Sequence, residues 1–543
     1  MAAAALGVAW FLLNGGGGAL RPGAVGWLLR QGDPATHWLG FAFSRAAPWG
    51  LPLGSAPGYL EPLGTSVAMT DAIPLVALAL RPLSRLLGPD LQYLGPWVAL
   101  SFALQGWFGA RLAAAVGLPR SAQPWGGLLL VLAPPLLWRV GHEALTSHWI
   151  VLAMLALALA PAADDAAARR ALRGAVAVAL LAATIHPTLA TQAAGLACAV
   201  AVAVVLQGRG RLRAAAGALL LVLAGDAALF AVLGYAGTPL SARGYGWFSA
   251  DLLALVNPMG HSRLLPSWPT RTPGQAEGFS YLGLGSMALA VLGIARAVRA
   301  PGGVAWRRAG PLLAVSLLFA AFAVSTYVTF AGRKVFGTSA LPPWLVPVVS
   351  PFRASGRFLW PLHYGLVACG LAGVAAVARG RGGVAALLLA GAAALQVADL
   401  GAGNLRGHYA PAAPPTLRGW EVARGRYRHL ELVPPRVRDG DGEGCGPAFG
   451  TREIGLAYRA YRLGLGIDSG YVARMDVAAA RRACDAEVEA VRAGVVRADT
   501  IYVPDPEYRP LLARGGAVCG SLTGEPLCVA PGTALAASLA ASP

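Results

Sequence analysis

Long apolar runs without charge, separated by short arginine-rich loops, are the feature that most restricts the fold of this chain. Most of these runs approach the roughly 20 residues that cross a bilayer, once their weakly polar ends are included. The runs are Trp149–Ala160, Gly174–Ile185, Leu189–Leu206, Ala214–Leu233, Tyr281–Ile294, Pro311–Val328, Tyr364–Ala378 and Val384–Val397. The pattern predicts a polytopic α-helical membrane protein, because a helix satisfies its own backbone in lipid.

The loops divide into two kinds that alternate along the chain. Four of them carry the arginine clusters 169–173, 209–213, 296–308 and 379–381. By the positive-inside rule these four loops are cytoplasmic, so the connections between them face outward. The outward connections hold four histidines and three carboxylates, namely His142, Glu143, His148, His186, Asp251, His261 and Glu277. Chemistry is therefore expected on the outer face.

Composition supports a membrane protein and gives no support to nucleic-acid binding. The chain is 56% hydrophobic and only 13% charged, which is unusual for a soluble protein of 543 residues. Its net charge is +18. Residues 401–543 contain 17 Arg against 15 Asp plus Glu, a net charge of +2, so +16 lies in the membrane part. Loop arginines account for that excess, and no DNA-binding or RNA-binding motif accompanies it.

The number of spans depends on two segments near the N-terminus. Ala2–Leu20 is uncharged and fits a first span or an uncleaved signal anchor, although it lacks a basic n-region. Asp71–Leu80 is too short to cross and is expected to lie along the interface, with a tilted span as the alternative. These readings give about 11 or 12 transmembrane helices in a domain of residues 1–403. Its first outward loop covers about 21–71 and its long outward loop about 235–280.

The tail, residues 404–543, has no long apolar run and is predicted to be a small periplasmic domain of α/β or α+β type. Glu431–Val433 and Thr500–Val503 have the composition of short strands, and Asp476–Arg492 has the apolar spacing of a helix. The C-terminus is expected outside the cytoplasm.

Four of the six cysteines lie in this tail, and an oxidising compartment would make them disulfides. We expect the pairs Cys519–Cys528 and Cys445–Cys484, although four cysteines allow three connectivities. A zinc site is the competing interpretation, but no Cys-x-x-Cys spacing occurs. Cys198 and Cys369 fall in predicted spans and are expected to be small core residues.

Asp33 begins the most suggestive polar motif of the first outward loop. It stands in the string GDPATHW, residues 32–38, just beyond the first predicted span. A carboxylate there could accept the proton of an acceptor hydroxyl, which is general-base chemistry. An ordinary Asp-Pro turn is the alternative interpretation.

The second outward loop contains GHEALTSHW, residues 141–149. A zinc-protease motif is excluded, because His-Glu-x-x-His would need histidine at Thr146. His142 and Glu143 could instead contact a metal or a phosphate, and helix capping by interfacial polar residues explains the cluster equally well. The sequence identifies no cofactor, and a divalent cation stays an open alternative.

Cations also occur on the face where the positive-inside rule predicts few. They are Arg243, Arg263, Arg271, Arg333, Lys334, Arg353 and Arg357. The guanidinium fork matches phosphate oxygens, so these residues suit a lipid phosphate. Binding of ordinary phospholipid headgroups is the alternative, and it is weaker for Arg353 and Arg357, which flank the entry to a span. Asp226 lies within a span and is expected to be structural.

Six strings stand out along the chain: residues 32–49 (GDPATHWLGFAFSRAAPW), 69–80 (MTDAIPLVALAL), 92–112 (QYLGPWVALSFALQGWFGARL), 141–149, 277–285 (EGFSYLGLG) and 353–364 (RASGRFLWPLHY). Together they resemble a largely uncharacterised family of bacterial multi-spanning proteins allied to the GT-C glycosyltransferases. The resemblance covers essentially the whole chain and implies a GT-C-like fold in the bacterial inner membrane.

It further implies an enzyme that transfers a sugar from a polyprenyl-phosphate donor to an envelope lipid, glycan or protein at the periplasmic face. Asp33 matches the aspartate that acts as base. The residues expected to bind donor or acceptor are His37, Asp71, His142, Glu143, His148, Arg353 and Arg357. The chain departs from the GT-C pattern at two places. His142-Glu143 stands where many GT-C enzymes have an acidic pair in the second outward loop, which bears on metal dependence. Pro34 follows Asp33 where several GT-C subfamilies have a second acid. A transporter or flippase of lipid-linked sugars and a non-catalytic assembly partner are the alternatives.

Overall fold

A computed structural model describes residues 1–540 except 31, 85, 237–243, 339, 350, 404 and 441. The helices are α1 Ala2–Leu13, α2 Gly32–Ala46, α3 Pro74–Leu80, α4 Leu94–Ala115, α5 Gln123–Val131, α6 Pro134–Trp138, α7 Trp149–Leu159, α8 Asp165–Ala183, α9 Pro187–Gln207, α10 Leu212–Leu233, α11 Leu284–Arg299, α12 Trp306–Val324, α13 Val346–Val349, α14 Trp360–Ala378, α15 Gly382–Leu400, α16 Thr451–Leu463, α17 Val477–Arg492, α18 Arg509–Arg514 and α19 Ala536–Ala540. The strands are β1 Ser55–Ala56, β2 Thr65–Ser66, β3 Tyr327–Phe330, β4 Arg333–Gly337, β5 His429–Val433, β6 Val437–Asp439, β7 Gly444–Cys445, β8 Gly466–Ile467, β9 Gly470–Val472, β10 Thr500–Pro504, β11 Val518–Leu522 and β12 Glu525–Val529.

The chain forms two compact units. The helical unit contains residues 1–20, 94–229 and 241–410, and the mixed unit contains residues 21–93, 230–240 and 411–543. The first outward loop therefore belongs to the same unit as the C-terminal part of the chain. The domain boundary that the sequence predicts, at residue 404, lies outside the described residues.

Every predicted apolar run from residue 149 to residue 397 contains a helix, but fewer of these helices than predicted are long enough to span. Among the described residues, five are long and apolar enough to cross a membrane, against the 11 or 12 expected. They are Pro187–Gln207, Leu212–Leu233, Trp306–Val324, Ser355–Ala378 and Gly382–Leu400. The five suggest a membrane protein.

Helix-ending residues explain part of the shortfall. Pro134 and Pro135 divide one apolar stretch into α5 and α6, because proline disfavours helix in the residue before it. The predicted first span also breaks, since α1 ends at Leu13 and Asn14 caps it. The glycine-rich stretch that follows forms a short 3₁₀ helix, Gly16–Leu20. Asp71–Leu80 yields only the seven-residue α3, too short to cross.

Small residues let the helices of the helical unit pack closely. A Cβ on Gly293 of α11 would lie 2.2 Å from the carbonyl oxygen of Cys369 in α14. Such glycines allow backbone contact between apolar helices. Cys369 is half-buried, whereas Cys198 is exposed on α9, so the core position predicted for Cys198 is wrong. In a membrane helix the outer surface is as apolar as the core, and the sequence pattern does not distinguish the two.

The helical unit has two chemically different ends. At one end Arg211 donates to the Ala162 carbonyl at 2.9 Å and pairs with Asp165 at 3.1 Å, while Arg308 donates to the Leu159 carbonyl at 2.6 Å. From that end α8 runs to Ala183, and α9 returns from His186. The loops that precede α7, α9 and α14 therefore lie at the opposite end, called the histidine end below.

The mixed unit contains a five-stranded sheet in the order β11-β12-β10-β5-β8. The β10-β5 and β5-β8 pairs are parallel, whereas β12 runs antiparallel to β10 and β11. The predicted strands and the predicted helix correspond to β5, β10 and α17, and are confirmed. The first outward loop joins this unit through Tyr59, which bridges to Ile467 of β8. Both predicted disulfides, Cys445–Cys484 and Cys519–Cys528, are present.

Candidate functional site

Three loops bring two arginines onto one carboxylate at the histidine end of the helical unit. Arg139 follows α6, Glu277 lies in a 3₁₀ helix (Pro273–Gly278), and Arg357 lies in another (Ser355–Leu359) that leads into α14. Arg139 Nη1 and Arg357 Nε each lie 2.7 Å from Glu277 Oε2. The two guanidinium side chains are only 4% and 10% exposed.

The group formed by Arg139, Arg357 and Glu277, called the triad below, keeps its charges near neutral pH. Burial by itself raises the pKa of the Glu277 carboxyl, but the charges of Arg139 and Arg357 outweigh burial and hold that pKa well below its usual range. His142 adds a smaller contribution in the same direction. Glu277 is therefore ionised, and the triad, with two positive groups and one negative group, carries a net charge of +1.

A histidine cluster lies in the same part of the unit. The rings of His142 and His186 are 5.4 Å apart, and Nδ1 of His186 accepts the Thr188 N–H at the start of α9. Glu143 is fully buried, with Oε1 3.7 Å from Nε2 of His408. Glu143 belongs to no group of three closely spaced histidine, cysteine or carboxylate ligands among the described residues, and a metal at His142-Glu143 stays a prediction.

The capping interpretation of this loop also gains no support. His142 precedes the 3₁₀ helix Glu143–Thr146, and His148 precedes α7, but neither side chain makes a capping hydrogen bond. Instead, Nδ1 of His148 lies 2.7 Å from the hydroxyl of Tyr364 in α14. His148 therefore connects the loop to the interior of the unit.

Several buried polar atoms near His148 have no hydrogen-bond partner within the described part of the chain. They are His148 Nε2, Ser147 Oγ, Ser280 Oγ, His363 Nε2 and the indole nitrogen of Trp360. A buried polar group without a partner costs about 1–3 kcal/mol. Such a cluster suits a ligand that carries several hydroxyl groups.

The predicted residues of the first outward loop lie in the mixed unit. Asp33 is half-buried in the first turn of α2, so the ordinary-turn interpretation is replaced by a helix N-terminus, where a negative charge is stabilised. His37 is buried on the same helix. Ligand atoms of His37 and Asp71 lie within 4.8 Å of each other, and Asp71 has a left-handed backbone, with φ of 50°.

The outward cations have different surroundings. Arg357 joins the triad, whereas the guanidinium of Arg353 stacks on Phe248 at 5.4 Å. Arg243 lies outside the described residues. The structure therefore brings His142, Glu143, His148, Arg353 and Arg357 into the helical unit and Asp33, His37 and Asp71 into the mixed unit.

Sequence reasoning did not select Arg139, Glu277, His186 or His408 as site residues. Arg139 and Glu277 are 138 positions apart, so no local spacing links them. Two sequence features could have pointed to them. Glu277 begins the distinctive string EGFSYLGLG, and Arg139 is a cation on the face where the positive-inside rule predicts few.

Two family models match the chain. The model described as "Domain of unknown function (DUF6311)" covers residues 4–401, and the one described as "DUF6311 C-terminal domain" covers residues 419–530. No curated protein matches the chain. The matches agree with the predicted resemblance to an uncharacterised family, while the link to GT-C enzymes stays a prediction.

Proposed function

The chain belongs to the DUF6311 family, and we propose that it is a membrane glycosyltransferase that uses a polyprenyl-phosphate sugar donor. The acceptor would be an envelope lipid, glycan or protein at the periplasmic face of the bacterial inner membrane. The convergence of Arg139 and Arg357 on Glu277 is the observation that carries this proposal.

The triad suits the phosphate of such a donor. A polyprenyl-phosphate sugar is a phosphodiester with one negative charge, and the triad has a net charge of +1. Guanidinium groups bind phosphate oxygens through paired N–H donors, and the low dielectric of a buried site strengthens that attraction. Glu277 holds both forks in place before the donor arrives, which lowers the entropy lost on binding.

The neighbouring groups suit the remaining parts of the donor. The buried polar atoms of His148, Ser280 and His363 could pair with sugar hydroxyls, which both donate and accept. The polyprenyl chain needs an apolar surface, and α12 supplies one, with Leu317 51% and Leu318 71% exposed.

Asp33 is the proposed base. Its carboxylate would take the proton of the acceptor hydroxyl while the acceptor oxygen forms a bond to the anomeric carbon of the sugar. As that bond forms, the bond from the anomeric carbon to the phosphate oxygen breaks, and polyprenyl phosphate leaves with the electron pair. Asp33 stands in the first turn of α2.

Reconstituted full-length protein with a radiolabelled polyprenyl-phosphate sugar tests the proposal. Asp33→Asn should reduce transfer about 10²- to 10⁴-fold, the usual loss when a general base is removed. Asp165→Asn, at the opposite end of the helical unit, is the matched control and should transfer normally. Wild-type transfer by Asp33→Asn at equal abundance would remove this residue from the mechanism.

The same vesicles separate the two alternatives. A transporter would move labelled donor across the bilayer, leave it chemically intact and tolerate Asp33→Asn. A non-catalytic partner would neither move nor consume the donor. Competition by excess polyprenyl phosphate should inhibit transfer, because the leaving group occupies the proposed arginine site.

A further inference from the structure

A β-hairpin directly after a candidate span exposes an unusual mixture of aromatic and cationic side chains. Strands β3 and β4 pair antiparallel within the helical unit. Val328 and Thr329 of β3 are 4% and 1% exposed, whereas every residue of β4 is exposed. The first strand is therefore buried at its centre, and the second strand is left exposed by the part of the chain that the structure describes.

A single buried carboxylate positions the tip of this hairpin. Asp251 is 1% exposed and accepts hydrogen bonds from the Thr329 hydroxyl at 2.8 Å and from the N–H groups of Ala331 and Gly332 at 3.1 and 3.2 Å. Gln275 donates to the Thr329 hydroxyl at 2.8 Å. The turn is thus a fixed element whose exposed side chains are presented by the fold.

The exposed side chains have the composition of a membrane-interface element. Phe330, Val335 and Phe336 are 50%, 55% and 62% exposed, and Arg333 and Lys334 lie among them. Soluble proteins protect exposed strands and seldom group large apolar side chains on the surface. Aromatic residues beside cations are typical of the boundary between headgroups and acyl chains.

The position of the hairpin along the chain agrees with that composition. β3 begins at Tyr327, three residues after the candidate span α12 ends at Val324, while Arg307 and Arg308 lie at the other end of the same helix. An element so close to the end of a span lies at headgroup depth. Nζ of Lys334, on β4, also lies 5.2 Å from the ring of Tyr327 on β3, so this cation contacts an aromatic ring of the same hairpin.

We propose that the β3-β4 hairpin is a binding element for anionic phospholipid headgroups at the histidine end of the molecule. Phe336 and Val335 enter the boundary of the acyl chains, and Arg333 and Lys334 contact headgroup phosphates. Asp251 acts as a positioning residue that holds the turn. This surface is separate from the arginine triad, and the proposal does not depend on the proposed chemistry.

Site-specific fluorescence quenching tests the proposal on the full-length protein. Cys198→Ser and Cys369→Ser remove the free thiols and leave both disulfides intact. Phe336→Cys then carries an environment-sensitive fluorophore in vesicles of phosphatidylcholine with or without phosphatidylglycerol. With phosphatidylglycerol, a lipid nitroxide near the headgroup should quench the label strongly.

Charge variants show whether headgroups are recognised. Arg333→Gln with Lys334→Gln should lower the ratio of lipid-bound to unbound hairpin, as reported by the label, on the order of 30-fold. Each cation near an anionic surface contributes about fivefold to that ratio. Arg481→Gln with Arg492→Gln removes the same charge from exposed positions of the C-terminal part and should leave the quenching unchanged. Asp251→Asn should broaden the range of bilayer depths at which the fluorophore is found, because the turn is then held less well, and it leaves the net charge of the hairpin itself unchanged.

Two results would overturn the proposal. An unquenched label in both lipid mixtures would place the hairpin in water. Equal quenching in both mixtures, insensitive to the charge variants, would mean that the hairpin inserts by its apolar side chains alone and has no preference for anionic headgroups.

Discussion

The two ends of the helical unit use arginine in different ways. At one end Arg308 donates to the carbonyl of Leu159, the last residue of α7, and Arg211 pairs with a carboxylate that is 71% exposed. At the histidine end Arg139 and Arg357 are buried on one shared carboxylate. The number of arginines in a loop indicates which way the helices cross, whereas two buried arginines on one shared carboxylate indicate where a site has been built.

This contrast has an energetic basis. A cation at a helix C-terminus interacts favourably with unpaired carbonyls and remains partly solvated. A buried guanidinium loses its hydration and is tolerated only beside a partner such as Glu277. Keeping two such groups together at one end is difficult to explain by topology alone, which is why we assign them to binding.

The first prediction concerns the orientation of the two ends and has an all-or-none outcome. If the arginine clusters at residues 169–173 and 209–213 are cytoplasmic, the C-terminus should lie outside. A C-terminal reporter that is active only in the cytoplasm should be silent, and one that is active only in the periplasm should be bright. A bright cytoplasmic reporter would reverse the assignment of the ends.

The second prediction compares one carboxylate from each end. Glu277→Gln leaves two buried guanidiniums without their shared negative partner and should destabilise the protein by about 3–5 kcal/mol. Asp165→Asn removes an exposed partner of Arg211 and should change stability by less than about 1 kcal/mol. Thermal unfolding of the purified protein in detergent measures both.

A double variant sharpens this comparison. Glu277→Gln with Arg357→Gln removes one charge of each sign and should be more stable than Glu277→Gln alone, because one buried guanidinium and not two then lacks the Glu277 carboxylate. Equal destabilisation by the two single variants Glu277→Gln and Asp165→Asn would show that the triad is no different from a surface pair.

The third prediction asks which compartment the C-terminal part of the chain encounters. In an oxidising compartment, thiol labelling of the denatured, unreduced protein should modify Cys198 and Cys369 alone. Loss of either disulfide should cost roughly 2–4 kcal/mol in that part of the chain. Labelling at all six cysteines of protein taken from cells would contradict both the pairing and the outward position.

The sequence predicted elements whose residues are close together in the chain. Apolar periodicity located α9, α10 and α17, and β-branched runs located β5 and β10. Strands such as β7 and β8, of two residues each, carry too little sequence to be recognised. Their pairing depends on contacts with distant strands, which local propensity does not encode.

The candidate site was predicted in part for the same reason. Arg357 and His142 stand in distinctive strings and were selected, but the partner that gives Arg357 its environment was not. Glu277 meets Arg357 across 80 positions, through loops that have no regular period. The grouping of the first outward loop with the C-terminal part also rests on a long-range contact, the bridge between Tyr59 and Ile467.

The last prediction concerns two buried carboxyl groups whose pKa is raised, in contrast to that of Glu277. Burial raises the pKa of Asp468 to about 8, against an ordinary value of 3.8, although Ser469 and the Leu432 N–H donate to it. Burial and Glu487 raise the pKa of Glu431 to about 9, against the opposing charge of Arg497. Asp468 is thus held protonated near neutral pH.

Because these folded-state pKa values lie above the unfolded values, both groups favour folding most in acid, and that contribution is lost as pH rises from about 4 through about 8 or 9. The unfolding midpoint of the full-length protein should therefore fall, on the order of a few degrees, between pH 5 and pH 8. Asp468→Asn keeps an acceptor oxygen but does not ionise, so it should reduce this slope. An unchanged slope in Asp468→Asn, with Glu431→Gln also unchanged, would mean that this pair ionises in the folded state as readily as in the unfolded chain.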